Sequence, residues 1–154
     1  MCLKKIKLSE GVYYQNHVVI DNTTYVEDGK NVIRDYSEVE LNIAKWYYKT
    51  FHEEVILLPR VDFPHGIKTP DYLINGEKWD LKEITGFSAK IFFTNIRNKK
   101  NQAQNFIFDV TKSRLIDYQI DRQISHLYNI KRVYWLNKVI IKRGNIVIKL
   151  YNRN

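Results

Sequence analysis

The sequence has very little cysteine and proline and no long apolar run, and each of these absences excludes a class of protein. The single cysteine, Cys2, excludes a disulfide framework, a cysteine zinc site and a CxxC redox motif. The three prolines fall between residues 59 and 70, so no proline-rich linker divides the chain. No stretch approaches 18 consecutive apolar residues, and the first residues include no apolar stretch of signal-peptide length. We therefore expect no membrane anchoring and no signal peptide in this chain.

The composition that remains is that of a folded basic protein. Hydrophobic residues make up 44% and aromatic residues 14% of the 154 residues, which is enough to bury a core and to exclude disorder as the dominant state. The chain carries 25 Lys and Arg against 17 Asp and Glu, a formal net charge of +8. Such an excess favours an anionic partner, whether nucleic acid, an acidic protein or an acidic membrane surface.

The residues before Ser37 have the pattern of short strands. Three β-prone runs, at 12–14, 18–20 and 24–26, are separated by turn signals at Asp21-Asn22 and Asp28-Gly29. We interpret residues 1–36 as an N-terminal β arm or hairpin extension, and residues 37–154 as the main domain.

Helical periodicity begins at Ser37. The spacing of Ser37 and Glu40 is that of a capping box, and apolar residues then recur at helical intervals, which predicts a helix over 37–51. The later predicted elements are a strand at 55–58, a hairpin around Asn75-Gly76, a helix-compatible stretch at 88–104, a strand at 106–108, a helix at 115–130, and a closing hairpin of 132–142 with 145–151. This order predicts an α/β (α+β) fold with a mixed sheet flanked by helices.

The hairpin around Asn75-Gly76 contains the most informative residues. If these two residues form the turn, paired residues have numbers that sum to 151, and Asp71 lies opposite Asp80. Residues opposite one another share a face, with Cβ atoms about 5 Å apart. Lys82 follows Asp80 by two residues and projects from that same face, as does Thr69, which lies opposite Lys82.

Two like charges in directly opposed positions destabilise a hairpin, and a divalent cation between them would reverse that effect. Mg²⁺ and Mn²⁺ prefer hard oxygen ligands and are typically held by one or two carboxylates with water and substrate phosphate. We expect a divalent metal, Mg²⁺ with Mn²⁺ or Zn²⁺ as alternatives, held by Asp71 and Asp80. Lys82 would orient water or neutralise charge on a phosphate. A third acid would come from the preceding helix, as Glu40 or Glu38.

The same residues also have structural interpretations. Asp80 and Lys82 are compatible with a solvated ion pair on an exposed strand, which contributes little to stability. Glu40 is compatible with a purely structural role as the partner of Ser37 in the capping box.

The pattern of Pro70-Asp71, a spacer, and Asp80-x-Lys82 resembles the PD-(D/E)XK nuclease superfamily. The order of predicted elements also matches the core of that restriction-endonuclease-like fold. The resemblance implies that residues 37–154 are a PD-(D/E)XK-like nuclease domain. Its catalytic residues would be Glu40, Asp71, Asp80 and Lys82, with the three acids as metal ligands.

A closer resemblance involves five segments in order along roughly residues 37–150. They resemble the C-terminal tRNA-nuclease toxin domains of CdiA-type contact-dependent growth inhibition proteins. The segments are Glu40–Ala44, Val55–Pro59, Lys68–Asp71, Trp79–Glu83 and Gln102–Asp109.

This resemblance implies a toxin domain that cleaves RNA phosphodiester bonds, with tRNA as substrate. It would be a soluble, secreted or delivered toxin that acts in the target-cell cytoplasm and is neutralised by an acidic immunity protein. It also implies accessory roles for Gln102 and for Lys99 or Lys100.

Three alternatives remain open on the sequence. A DNA endonuclease of the same fold would use the same chemistry, because the metal contacts only a phosphodiester. A non-catalytic nucleic-acid-binding module would show salt-dependent binding without a metal requirement. A metal-independent ribonuclease would need a general base, and no histidine pair in the sequence supplies one.

Overall fold

The computed structural model describes residues 2–153, which form two compact units. The first unit ends at Trp79 and the second begins at Asp80, so the boundary lies within a single strand, Glu77–Glu83. The longest helix among the described residues has 14 residues, and none has the length and apolar character needed to cross a bilayer. The division of the chain at residues 36 and 37 stays a prediction.

The first unit contains one helix and most of the strands. These are β1 (Lys5–Ser9), β2 (Val12–Gln15), β3 (His17–Ile20), β4 (Thr23–Val26), β5 (Val32–Ile33), α1 (Glu38–Phe51), β6 (Val55–Leu57), β7 (Arg60–Val61), β8 (Tyr72–Ile74) and the beginning of β9 (Glu77–Glu83). Its main sheet has the order β1-β2-β6-β8-β9, in which β2 and β6 are parallel and the other pairs are antiparallel. Two small antiparallel pairs, β3 with β4 and β5 with β7, complete the unit.

The strands predicted before Ser37 are confirmed. Asp21 and Asn22 form the β3–β4 turn with φ angles of 50° and 66°, which short polar side chains tolerate well. Buried Val18 and Ile20 from β3 pack in one cluster with Val61 of β7, so these small strand pairs share a core. The sequence analysis missed β1, because the side chains of this lysine-containing strand are exposed or half-buried and give no burial pattern.

Helix α1 follows the predicted capping box. The Ser37 hydroxyl accepts a hydrogen bond from the backbone N–H of Glu40 at 3.0 Å, and the Glu40 carboxylate accepts one from the N–H of Ser37 at 3.1 Å. The helix ends at His52, whose φ is 57°. Ile43, Trp46 and Tyr47 of the predicted apolar stripe are buried together with Ala44, whereas Phe51 is half-buried and Val39, also predicted on that face, is exposed.

The predicted register of the β8–β9 hairpin is confirmed over three pairs. Tyr72 pairs with Trp79, Leu73 with Lys78, and Ile74 with Glu77. Asn75 and Gly76 form the two-residue turn with φ angles of 53° and 74°, the combination that a type I′ hairpin turn requires.

The second unit contains the remaining elements. These are the end of β9, α2 (Ile91–Ile96), β10 (Asn105–Asp109), α3 (Asp117–Leu127), a 3₁₀ helix (Lys131–Val133), β11 (Lys138–Arg143) and β12 (Ile146–Asn152). The strand order is β9-β10-β11-β12, with β10 parallel to β11 and β12 antiparallel to β11. Phe92 of α2, Phe108 of β10 and Ile124 of α3 are fully buried in one core. The predicted α/β class, with a mixed sheet flanked by helices, is therefore confirmed.

The helix predicted within 88–104 is much shorter than expected. Helix α2 has six residues, and the chain then forms tight turns, in which the N–H of Lys99 bonds to Ile96 O and that of Gln102 to Lys99 O, both at 2.8 Å. Between Ile96 and Ala103 the sequence has only polar residues, so a continued helix would have no apolar face to bury.

Two other predicted boundaries are also wrong. Helix α3 covers 117–127 rather than 115–130, and it begins after Ile116, whose N–H donates to the side chain of Gln119 at 3.0 Å. The strand predicted from Arg132 begins only at Lys138. Val133 and Leu136 are both fully buried at a spacing of three, which suits a helical turn and not the alternation of a strand.

Candidate functional site

The candidate site in the second unit centres on Asp80 of β9. Only 1% of the Asp80 surface is exposed, although the side chain is a carboxylate. Lys82 lies on the same face of the strand, and its Nζ is 3.1 Å from Oδ2 of Asp80. The predicted proximity of these two side chains is confirmed, whereas the predicted exposed surroundings of an ordinary ion pair are not found.

A third polar side chain reaches Asp80 from the turns that follow α2. The Gln102 amide Nε2 donates to Oδ1 of Asp80 at 3.4 Å. The early end of α2 therefore has a consequence for the site, because the resulting turns place Gln102 beside β9. Lys99 and Lys100 lie in the same turn segment, Lys99 half-buried and Lys100 exposed.

The two oxygens of Asp80 have different surroundings. Oδ2 is buried and has no hydrogen-bond partner among the described residues, although the Lys82 ammonium lies within ion-pair distance. The ammonium therefore compensates the charge of Asp80 without forming a hydrogen bond to Oδ2. A buried carboxylate oxygen without a hydrogen bond is unfavourable by itself, and a hard cation or a polar substrate group is a suitable partner for it.

In the first unit, a hydrogen bond joins the first residue of β8 to the start of α1. The Tyr72 hydroxyl donates to the backbone O of Glu40 at 2.7 Å, so the first turn of α1 is fixed next to the residue that follows Asp71. Asp71 and Thr69 are both half-buried in the segment that leads into β8.

Helix α1 also fixes the strand segment that precedes Asp80. The Tyr47 ring packs edge-on against Trp79, with ring centroids 5.9 Å apart. Burial raises the pKa of the Tyr47 hydroxyl, and the nearby carboxylate of Glu53 raises it further, so this hydroxyl stays protonated and neutral.

The two helix acids differ in their surroundings. One oxygen of the Glu40 carboxylate completes the capping box at Ser37, so the structural interpretation of Glu40 is confirmed at that oxygen. Its half-buried side chain has a second oxygen for any further role. Glu38 is exposed and forms no hydrogen bond or ion pair through its carboxylate within residues 2–153.

The described residues include no group of three or more His, Cys, Asp or Glu side chains arranged to hold a metal ion. A site for Mg²⁺ does not need three protein ligands, because one or two carboxylates together with water and phosphate are typical. The buried Oδ2 of Asp80 has the donor chemistry for such an ion, so the residues present fit a cation held by few protein ligands.

The sequence analysis missed a second pair of an acid and a lysine, in which Lys142 is buried and Asp109 half-buried. Asp109 of β10 and Lys142 of β11 are register partners in the parallel strand pair, with Oδ2 and Nζ 3.7 Å apart and side chains 15% and 9% exposed. The Lys142 ammonium donates to Gly144 O at 2.6 Å, and Asp109 accepts from the N–H of Thr111 at 3.0 Å. These contacts tie the strand ends to the turn, and no local sequence signal marks the parallel pairing.

Comparisons with known proteins agree with this architecture. A search of solved structures matches a CdiA-CT/CdiI toxin and immunity complex from Burkholderia pseudomallei, with a TM-score of 0.56 and 23% sequence identity over 81% of this chain and 97% of that chain. At this identity the match shows a similar fold. No curated protein matches the sequence.

The family comparison is more informative. The model of the contact-dependent growth inhibition CdiA C-terminal domain matches residues 68–147, which is just over half of the chain. This interval includes Asp71, Asp80, Lys82 and Gln102, whereas Glu38 and Glu40 lie before it. The chain therefore belongs to the family of CdiA C-terminal domains, which are toxins of contact-dependent growth inhibition.

Proposed function

We propose that this toxin domain is a metal-dependent ribonuclease that cleaves phosphodiester bonds of tRNA. The observation that supports it most is the buried carboxylate of Asp80, which has Lys82 at 3.1 Å and the Gln102 amide at 3.4 Å. A buried acid next to a lysine is costly for a purely structural element, which favours a functional role for this pair.

In the proposed site, Asp71 and Asp80 hold a divalent cation, Mg²⁺ or a similar ion, and Glu40 is the third acid of the set. The cation, when bound, supplies Lewis-acid chemistry that activates water and stabilises charge on a phosphate. Gln102 keeps the Asp80 carboxylate oriented through Oδ1. Lys82 neutralises the charge that develops on the phosphate while water adds to phosphorus and the ester oxygen leaves with a proton.

One property of the chain favours RNA as the substrate, and a second favours nucleic acid in general. The segments that resemble CdiA-type tRNA-nuclease toxins include Asp71, Asp80 and Lys82. The net charge of +8 provides the attraction for a phosphate backbone. A DNA endonuclease of the same fold remains the second candidate, because the resemblance to the PD-(D/E)XK superfamily does not distinguish between the two nucleic acids.

Parallel incubation of the chain with total tRNA and with plasmid DNA tests the proposal. We expect cleavage of tRNA in Mg²⁺ or Mn²⁺, no cleavage in EDTA, and intact plasmid. Cleavage of plasmid alone would establish a DNA endonuclease. Cleavage of tRNA in EDTA would contradict the proposed metal requirement. Salt-dependent binding of nucleic acid without cleavage in any metal would contradict the proposed enzymatic activity and favour a non-catalytic binding module.

The same proposal includes an acidic immunity protein as a partner. The solved structure with a similar fold is a complex of a toxin with its immunity protein, and the charge of +8 on this chain favours an acidic partner. In the tRNA assay, an equimolar amount of a small acidic protein encoded beside this toxin should abolish cleavage. Undiminished cleavage in its presence would contradict the proposed partner.

A further inference from the structure

The second unit has an exposed aromatic groove that the proposed catalytic residues do not use. The groove has a volume of about 790 Å³ and lies between the segment 87–89 and the outer face of α3. We call it the α3 groove and define it by Phe87, Ile116, Tyr118, Gln119, Arg122 and His126.

The α3 groove is not required for packing of the helix. Helix α3 buries Ile120, Ile124 and Leu127 on its inner face. Tyr118, Arg122 and His126 recur at intervals of four and form a separate outer stripe. The helix therefore has a complete core-facing side without these residues.

Three large apolar side chains of the groove are exposed to solvent. Their exposed fractions are 64% for Phe87, 60% for Ile116 and 67% for Tyr118. Single exposed apolar residues are ordinary, but several around one groove indicate an interaction surface. The exposed rings offer flat faces to a ligand.

The charge around the groove favours an anion. The two acids of α3 are already compensated, because Asp117 pairs with Arg143 at 3.0 Å and Asp121 with Lys149 at 2.6 Å. Lys149 and Tyr151 both donate hydrogen bonds to the Asp121 carboxylate and lower its pKa, so it stays ionised and compensated.

Arg122 of the groove, and Arg114 beside Phe87 at its edge, have no such compensation. Neither Arg114 nor Arg122 forms an ion pair with any residue in the described range 2–153. The Arg114 guanidinium lies 5.9 Å from the centroid of the Phe87 ring. Aromatic faces with uncompensated arginines beside them are the combination that binds unpaired nucleotides, with bases on the rings and phosphates at the guanidinium groups.

We propose that the α3 groove binds an unpaired segment of the RNA substrate, with bases stacked on Phe87 and Tyr118 and phosphates contacted by Arg114 and Arg122. This inference rests on the proposed function, because it deepens the RNA specificity proposed above. Aromatic rings and arginines are also common at protein interfaces, so an acidic protein is the competing occupant of this surface. The net charge of +8 and the proposed RNA substrate favour RNA.

Binding of an uncleavable probe tests the groove separately from catalysis. The probe is a fluorescent, unstructured 12-nucleotide 2′-O-methyl RNA, measured by anisotropy in EDTA. We expect Phe87→Leu and Tyr118→Leu each to weaken binding by about 5- to 150-fold, the range that the loss of one stacked base gives. Tyr118→Phe keeps the ring and should keep wild-type affinity. Arg122→Gln should lower the salt slope of binding by about 0.7, the loss of one phosphate contact to a single strand.

The matched control is Tyr134→Leu, which removes an aromatic ring that is 55% exposed and lies outside the groove. It should bind the probe as wild type does. Equal binding by wild type and both groove leucine variants would overturn the inference, as would equal affinity for a duplex of the same length or no binding by wild type. Groove variants that bind the probe normally but lose affinity for the acidic immunity protein would assign the surface to that protein and overturn the inference.

The two proposals fail in different experiments. Absence of tRNA cleavage by the wild-type chain contradicts the proposed function. The anisotropy comparison still shows whether the α3 groove binds unpaired RNA. If the wild-type chain cleaves tRNA and the groove variants bind and cleave as it does, the groove inference alone is wrong.

Discussion

At the residue scale, the ion pair of Asp80 and Lys82 is unequal. The Asp80 side chain is 1% exposed and depends on its neighbours, whereas the Lys82 side chain is 21% exposed and retains access to water. Removal of the Asp80 charge and removal of the Lys82 charge should therefore change the free energy of unfolding differently. A functional carboxylate is expected to be kept at some expense of folding free energy, and a structural one is not.

We expect Lys82→Met to lower the free energy of unfolding by about 1–3 kcal/mol, because it leaves a buried carboxylate without its counter-ion. Asp80→Asn should leave the free energy of unfolding unchanged or raise it, because it removes the buried charge while Lys82 regains water. Urea titrations followed by circular dichroism measure both values.

The exposed pair of Asp121 and Lys149 provides the control for this comparison. Both side chains are about half exposed, at 44% and 50%, so Lys149→Met should cause a smaller loss than Lys82→Met. An Asp80→Asn variant as destabilised as Lys82→Met would show that the Asp80 carboxylate is there for stability.

At the scale of secondary structure, the elements with strong local signals were predictable from the sequence. The capping box of Ser37 and Glu40 located the start of α1, and Asn75-Gly76 fixed the register of the β8–β9 hairpin. Each signal involves residues within a few positions of one another. Local hydrogen bonds and turn geometry are sufficient to form both elements.

Elements that depend on long-range packing were not predictable in the same way. The segment 133–136 is rich in apolar residues, as many strands are, but burial of Val133 and Leu136 on one side makes it a turn. The contact of Asp109 with Lys142 depends on parallel pairing of β10 and β11, which are separated by a helix. Only the assembled sheet brings those two residues together.

The contacts of the candidate site also differ in how far they could be predicted from the sequence. The strand period of two predicted that Lys82 would lie beside Asp80, and the structure confirms it. The contact of Gln102 with Asp80 joins residues 22 positions apart and was indicated only by family resemblance. The opposition of Asp71 and Asp80 lies beyond the three confirmed pairs and stays a prediction, as do the catalytic roles of all these residues.

A prediction at this scale concerns the turn between β1 and β2. Gly11 has a φ of 71°, and a Cβ at this position would lie 2.0 Å from Cδ1 of Tyr48 on α1. Gly11→Ala should therefore lower the free energy of unfolding by about 1–2 kcal/mol for the left-handed backbone and by a further 1–3 kcal/mol or so for overpacking. The measurement is the midpoint of chemical unfolding.

Gly29→Ala is the matched control for Gly11→Ala. Gly29 has nearly the same φ, 75°, and nothing lies within 4 Å of a Cβ built there. This variant should show only the backbone part of the loss. Equal losses in the two variants would mean that the Tyr48 ring moves aside easily and that the close contact does not restrain α1.

At the scale of the whole molecule, the net charge of +8 and the chemistry of the site have different roles. The positive charge favours a polyanion without selecting a bond to cleave. The proposed cleavage depends on a small number of acids within this basic chain, with Asp80 the most deeply buried of them. As a CdiA C-terminal toxin domain, the chain is delivered to target cells, where tRNA is the substrate that we propose.

The central claim is that Asp80 belongs to a metal-dependent ribonuclease site. The most direct test is the single-turnover rate of tRNA cleavage at saturating Mg²⁺ for the wild type, Asp80→Asn and Asp109→Asn. Asp109 is the matched control, because it is also an acid paired with a lysine on a strand, with a side chain only 15% exposed, but lies outside the proposed catalytic set. We predict that Asp80→Asn lowers the rate by at least about 100-fold, the typical effect of losing one group that stabilises a transition state, while Asp109→Asn cleaves at the wild-type rate. Cleavage by a folded Asp80→Asn variant at the wild-type rate would contradict the claim.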